Sequence, residues 1–244
     1  MEREDILREM GLGPIWKLRR PASAVGATPE PAPTAGEGSA MAESAAAIPA
    51  PVAGDVAGMD WEALAAAVAA CRKCRLCERR KQAVLGVGDR DADWLFVGEG
   101  PGADEDEKGE PFVGQAGKLL DNMLAAIDLR RGHDVYIANA VKCRPPNNRT
   151  PEAAETAACL PYLERQIELI RPKLIVALGR PAAATLLGTE VKIGAARGKV
   201  FEHRGIPLVV TYHPAYLLRN LMDKALSWED LLFMRRTMRG LKGG

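Results

Sequence analysis

Four short apolar runs constrain the fold of this chain more than any other feature: 93–97, 135–138, 174–178 and 208–211. Each is continuous rather than alternating, as expected of central parallel strands covered on both faces. Helical patterns lie between them at 117–127, 152–170 and 181–187. Thr150-Pro151-Glu152 reads as a cap followed by proline at the first position of the second helix. Right-handed crossovers bring all four strand ends to one edge. The pattern predicts an α/β fold, a three-layer α/β/α sandwich around a mainly parallel four-stranded sheet, with its site on the edge where open α/β sheets bind ligands.

The residues that follow the strands give that edge its chemistry. The first run feeds GEGPGADEDEKGEPFVG, Gly98 to Gly114, a Gly/Pro-rich turn crowded with carboxylates. The second ends at Asn139, and the last leads through Thr211-Tyr212 into His213-Pro214-Ala215-Tyr216-Leu217-Leu218-Arg219. An acid-rich loop, an amide and one of only three histidines therefore share one expected rim.

With 244 residues, 47% of them hydrophobic, the chain can hold one full-sized core with length to spare. Residues 1–20 place Ile6, Leu7 and Met10 at helical spacing and then stop at Gly11 and Gly13-Pro14, a short amphipathic segment. Residues 21–58 are rich in proline, alanine, glycine and serine and hold no aromatic residue, so they read as a disordered linker. As a flexible coil that linker reaches on the order of 35 Å, which lets the front segment either bind a protein partner or dock on the core. Residues 59–244 form the globular domain. The net charge of +1 selects no class of partner, although Arg72, Lys73, Arg75, Arg79, Arg80 and Lys81 crowd one segment and Lys142, Arg144 and Arg149 another. Such clusters form either solvated faces or a groove for phosphates. No apolar run approaches the roughly 20 residues that span a bilayer, and the first 20 residues do not read as a secretion signal. A monomer in a reducing cytoplasm is the expectation.

Cys71, Cys74 and Cys77 form C-x2-C-x2-C, and Cys143 and Cys159 follow much later. In a reducing compartment this spacing favours metal over disulfides. All-thiolate ligation suits zinc or an iron–sulfur cluster. The plainer alternative makes Cys143 and Cys159 small buried core residues.

Taken together, GEGPG at 98–102, Pro111-Phe112-Val113-Gly114, Asn139-Ala140-Val141-Lys142-Cys143-Arg144-Pro145-Pro146 and the His213 motif resemble the family 4 uracil-DNA glycosylases, the iron–sulfur branch of the uracil-DNA glycosylase superfamily. The resemblance covers residues 65–240 and leaves the tail and linker outside. It implies a base-excision repair enzyme that flips uracil out of DNA, hydrolyses its N-glycosidic bond and leaves an abasic site. Phe112 is then the stacking ring and Asn139 the amide that reads O4 and N3–H of uracil, where cytosine offers the reversed pattern. His213 resembles the histidine that donates to uracil O2. Gly100 occupies the position at which another branch carries a water-activating aspartate, a residue family 4 also lacks. The water-handling group is therefore open, with Glu105, Glu99 and Asn148 as candidates; Glu105 also reads as a solvated member of the acidic run.

The same resemblance makes Leu217 and Leu218 wedges for the opened stack, Arg219 a phosphate contact, and Arg149 part of a second clamping loop. It makes Cys71, Cys74, Cys143 and Cys159 the ligands of a structural [4Fe-4S] cluster with Cys77 spare, while spacing alone allows Cys74 and Cys77 as the first pair. Two alternatives stand beside the enzyme: a module that binds uracil-containing DNA, covalently or without turnover, and a zinc-stapled nucleotide-binding protein. Relatives that bond covalently to DNA carry a histidine on an insertion after the strand-end asparagine, whereas this chain runs from Cys143 to Pro151 with neither.

Overall fold

The computed structural model describes residues 56–243. The amphipathic segment 1–20 and nearly all of the 21–58 linker lie outside the described residues. The linker's final residues do not: Val56 is buried beside Leu64 and Val68, so the packed body starts before Met59.

The element order is α1 (Trp61–Ala70), β1 (Val87–Gly88), β2 (Trp94–Gly98), α2 (Ala103–Lys108), α3 (Gln115–Ala125), β3 (Val135–Asn139), α4 (Ala153–Ile170), β4 (Leu174–Leu178), α5 (Arg180–Leu187), α6 (Ile193–Ala196), β5 (Val200–His203), β6 (Ile206–Thr211), α7 (Pro214–Arg219) and α8 (Lys224–Gly243). The sheet runs β1-β3-β2-β4-β6-β5. The four strands expected from the apolar runs are its parallel centre, paired β3·β2, β2·β4 and β4·β6. It has six strands rather than four, because antiparallel β1 and β5 close its two edges. Both escape an apolar-run reading. β1 is two residues long, and β5 is a four-residue edge strand, Val200-Phe201-Glu202-His203, in which two apolar residues are followed by two polar ones. The β5–β6 hairpin turns through Arg204 and Gly205, both at positive φ, as the favoured two-residue hairpin turn requires.

The pleat sorts β2 onto two faces. Trp94 and Phe96 pack with Leu120 and Leu124 of α3 and with Leu231 and Met234 of α8, whereas Leu95 and Val97 pack with Leu163 and Ile167 of α4 and Ala182 and Ala183 of α5. Helices on both faces explain why these strands read as unbroken apolar runs. A third cluster joins Leu64 and Val68 of α1 to Val141, Cys143 and Cys159, outside the two sandwich faces. The cap of α4 differs from the expected one. Glu152 is the N-cap residue, Glu155 accepts its amide at 2.8 Å, and Pro151 precedes the helix. Thr150 bonds instead to the carboxylate of Glu99.

The hairpin is fastened to α4 by a buried histidine. His203 meets Glu164 at 3.2 Å through Nε2 and the Leu186 carbonyl at 2.7 Å through Nδ1. The bond to Glu164 leads the causes that raise its pKa above 6.5, ahead of an opposing burial effect, and the Leu186 carbonyl adds to the rise. A raised folded pKa means that the stabilisation is complete below the unfolded value and is lost as pH rises through the folded one. Thermal unfolding followed from pH 6 upward is expected to show this loss, and His203→Gln to flatten it. An identical slope in the variant would assign the effect to another group.

Candidate active site

The parallel strands end on one side of a cleft of about 830 Å³ lined by Glu99, Gly100, Glu105, Phe112, Asn139, Asn148, His213 and Arg219. Asn139, the last residue of β3, and His213, two residues past β6, face the same cleft. Gly98, the last residue of β2, sits directly opposite Asn139 in register. A Cβ on Gly98 would lie 2.4 Å from Asn139 Oδ1 and 2.6 Å from Phe112 Cζ, so the missing side chain is what allows these two groups to meet. Asn139 is 2% exposed, and its Oδ1 has no hydrogen-bond partner among the described residues. An unpaired buried acceptor costs about 1–3 kcal/mol, which a ligand donor would offset.

Phe112 stacks on His213, with ring centroids 5.5 Å apart and planes inclined by 29°. It holds a left-handed φ of 55° on a tight loop, and its carbonyl lies 1.7 Å from where a Cβ on Gly117 would be. Glu105 of α2 fixes that loop. Its carboxylate accepts the amides of Gly102 at 3.0 Å, Val113 at 2.9 Å and Gly114 at 3.1 Å.

His213 Nδ1 accepts the amide of Ala215 at 3.1 Å. A backbone N–H can only donate, so Nδ1 carries no proton and the neutral ring bears its hydrogen on Nε2. Burial, reinforced by the charge of Arg219, pushes the pKa of His213 down to about 4. The ring is therefore an uncharged donor at neutral pH. Close packing also dictates Gly179, after β4, because a Cβ there would touch that of His213 at 2.9 Å. Burial pushes the Glu99 carboxyl above the usual carboxylate range, against the bond from Thr150 and the charge of Arg180.

Beneath this cleft, Cys71, Cys74, Cys77, Cys143 and Cys159 line a second, small cavity together with Arg80 and Lys142. Cys143 and Cys159 are buried, the other three half-buried. Cys143 Sγ accepts from Arg80 Nη1 at 2.9 Å, and Cys159 Sγ from the Lys142 amide at 3.2 Å. Among the described residues no three His, Cys, Asp or Glu side chains are gathered tightly enough to hold a single metal ion.

Residues 85–232 match the Uracil DNA glycosylase superfamily. The chain belongs to that superfamily. It is 47% identical over 169 residues to a type-4 uracil-DNA glycosylase of Pyrobaculum aerophilum, covering 66% of this chain and 86% of the relative. A type-4 uracil-DNA glycosylase of Archaeoglobus fulgidus is 51% identical over 62% of this chain and 79% of its own, and one of Thermotoga maritima 50% identical over the same shares.

Within the superfamily fold, the expected base-pocket residues Phe112, Asn139 and His213 come together, with Glu99, Gly100 and Asn148 on the same cleft. Other expected site residues stand elsewhere or are engaged differently. Leu217 is 1% exposed and belongs to the core with Phe112 and Leu120, so it is no wedge; of the two leucines, α7 turns Leu218, 41% exposed, to solvent. Arg149 forks onto Glu155 at 2.8 and 2.7 Å, so its charge is already met within the protein. Arg180 was missing from the sequence reading and lines the cleft, with no ion-pair partner among the described residues. A lone arginine after a glycine carries no signal until the fold sets β4 beside β6. Met222, 88% exposed, and Leu221 extend the apolar surface next to Leu218.

Glu105→Ala is expected to leave three amides without an acceptor and to cost about 1–3 kcal/mol in chemical denaturation. Glu105→Gln, which keeps one carbonyl oxygen, should recover part of that loss. An unchanged midpoint in the alanine variant would show that other contacts hold the Phe112 loop.

Proposed function

We propose that this chain removes uracil from DNA by hydrolysing the N-glycosidic bond of a nucleotide flipped into the cleft, leaving an abasic site for base-excision repair. The unpaired, buried oxygen of Asn139 beside the Phe112–His213 stack carries this reading. A flipped uracil would stack on Phe112, donate N3–H to that oxygen and accept the Asn139 amide at O4. Cytosine, with an acceptor at N3 and a donor at C4, would leave the same groups mismatched.

As the bond to the sugar breaks, negative charge gathers on the departing base. The Nε2–H of His213 is a preorganised neutral donor for that charge at O2, and its low pKa keeps it neutral across physiological pH. Water handling falls to Glu99, whose burial brings its carboxyl closer to the range of a general base and whose position is held by Thr150. Glu105 is a positioning residue for Phe112 rather than an acid or base. The cleft is larger than one pyrimidine needs; Arg180 and Arg219 are the cations on its wall suited to flanking phosphates, and Leu218 is the apolar side chain suited to the vacated stack. Turnover is favoured over tight non-catalytic binding because a polarised donor and a raised carboxylate both face the base pocket.

The cysteine cavity fits an anionic thiolate centre on the chemistry of its donors, since the Arg80 guanidinium donates to Cys143 Sγ and the Lys142 main-chain amide to Cys159 Sγ. Cys71, Cys74, Cys143 and Cys159 would hold a [4Fe-4S] cluster. Cys143 lies within electrostatic reach of Cys74 and Cys71, and Cys159 of Cys143 and Cys74, which favours this set with Cys77 spare. When bound, the cluster would supply a structural staple between the Cys71 segment and the loop after β3.

A glycosylase assay on uracil-containing oligonucleotides, with iron measured on the same preparation, tests both statements. His213→Ala is expected to lose about 10²–10³ in kcat while still binding DNA; full turnover would remove the histidine from the mechanism. Arg180→Ala should weaken DNA binding and reduce the salt slope by about one, without changing single-turnover rates at saturation. Retention of the wild-type slope would place Arg180 off the DNA path. Cys143→Ala should lose iron and Cys77→Ala keep it, and the reverse would reassign the ligands.

A further inference from the structure

The loop between Asn139 and Cys143 holds a lysine that neither pocket explains by itself. Lys142 is 1% exposed and among the largest fully buried side chains. Its ammonium donates to the main-chain carbonyl of Asn139 at 2.8 Å and to Oε1 of Gln166 on α4 at 2.5 Å. Gln166 is fully buried and is anchored in turn, donating to the Leu85 carbonyl at 3.0 Å and to the Tyr136 hydroxyl at 3.3 Å. The lysine main chain is fixed as well, its amide by Cys159 Sγ at 3.2 Å and its carbonyl by the Val84 amide at 2.8 Å.

Two observations give this arrangement a purpose. The first is charge. No carboxylate among the described residues forms an ion pair with Lys142, and the groups within electrostatic reach that would carry negative charge as metal-bound thiolates are the sulfurs of Cys159 and Cys143. A charge taken out of water without an opposite charge is among the costliest groups a fold can contain. The second is the way β3 ends. The peptide joining Asn139 to Ala140 donates to the Gly98 carbonyl at 2.8 Å on the β2 side, so its own carbonyl points the other way. On that side β1 pairs only with Tyr136 and Ile137. Beyond that pairing, the Lys142 ammonium is the donor that meets the Asn139 carbonyl. Because the Asn139 side-chain oxygen has no hydrogen-bond partner among the described residues, the main chain must hold the amide in place.

We infer that Lys142 is a positioning residue coupling the cysteine centre to base recognition: thiolate sulfur balances its charge, and its ammonium holds the Asn139 carbonyl so that the Asn139 amide faces the cleft. The inference rests on the proposed reading of the cysteines as cluster ligands and of Asn139 as the uracil reader. Lys142 touches neither uracil nor sugar, so its effect passes through Asn139.

The test is Lys142→Met, which keeps the stem and removes the charge, prepared anaerobically beside the wild type. On a uracil-containing oligonucleotide, kcat is expected to fall about tenfold with KM within about twofold of the wild-type value. The reduction potential of the iron centre should move to more negative values, because a nearby positive charge favours the more negative reduced form. Wild-type kcat together with an unmoved potential in an iron-replete variant would overturn the inference. Should the variant fail to fold, Gln166→Leu leaves the charge and removes one tether; a fall in kcat with the potential unmoved is expected, and an unaltered kcat would overturn the coupling. Iron-free wild-type protein with full excision is a different result, which would overturn the cluster reading and with it the charge balance assigned to Lys142.

Discussion

Everything distinctive about the cleft depends on how closely β2 and β3 approach at their ends. Gly98 and Asn139 are partners in register, and the volume a side chain would occupy on Gly98 is filled by the Asn139 amide and the Phe112 ring. That interlock turns two residues 27 positions apart into one surface, a flat ring beside an unpaired acceptor. The third member arrives from β6 by the same means, since Gly179 clears the space that the His213 Cβ occupies. Glycine is needed at these points for close approach; Gly98 has no positive φ that would call for it on conformational grounds. The precision of the pocket therefore comes from sheet packing, and the loops only have to deliver side chains to it.

Charge is distributed around the pocket with a consistent logic. The carboxylates of Glu105 and Glu155 are occupied by backbone amides and by Arg149, which makes them scaffolding. Glu99 keeps a less satisfied position at the cleft, where burial makes its proton harder to lose. His213 is held neutral by burial and by the nearby Arg219, and its tautomer is set by a single amide. A charged imidazole would bind a developing anion more strongly at first sight. It would also need a proton on Nδ1, which the Ala215 amide excludes, so the site takes a preorganised neutral donor over a mobile charged one.

Much of this was legible in the chain. Continuous apolar runs revealed the four central strands because helices cover both faces of the sheet, and strand-end residues revealed Asn139 and His213 because parallel strands place their ends on one edge. What was not legible depended on partners distant in sequence. β5 is a short edge strand in which apolar Val200 is exposed and polar His203 buried, so no apolar run marks it. Leu217 and Leu218 are equivalent in sequence, and only the angle at which α7 leaves β6 sends one into the core and the other into solvent. Glu105 reads in the sequence both as a water-handling candidate and as one carboxylate in an acidic run, and neither reading shows the amides of Val113 and Gly114 that fold back onto it. Arg180 had no motif to announce it.

The two cavities are linked in a way that bears on why a hydrolytic site would be built beside a thiolate centre at all. Glycosidic hydrolysis needs no electron transfer, so a cluster here has to be justified by structure. The segment between Cys71 and Arg80 has little regular structure beyond a single short 3-10 turn, and the loop after β3 lies beyond the pairing with β1, which reaches only Tyr136 and Ile137. A polynuclear centre held by these cysteines would crosslink both at once, and its negative charge would offset that of buried Lys142. The Lys142 ammonium donates to the main-chain carbonyl of Asn139, the residue proposed above to read the base. On this view the cysteines act on catalysis through one main-chain carbonyl, at a place where hydrophobic packing alone offers no donor.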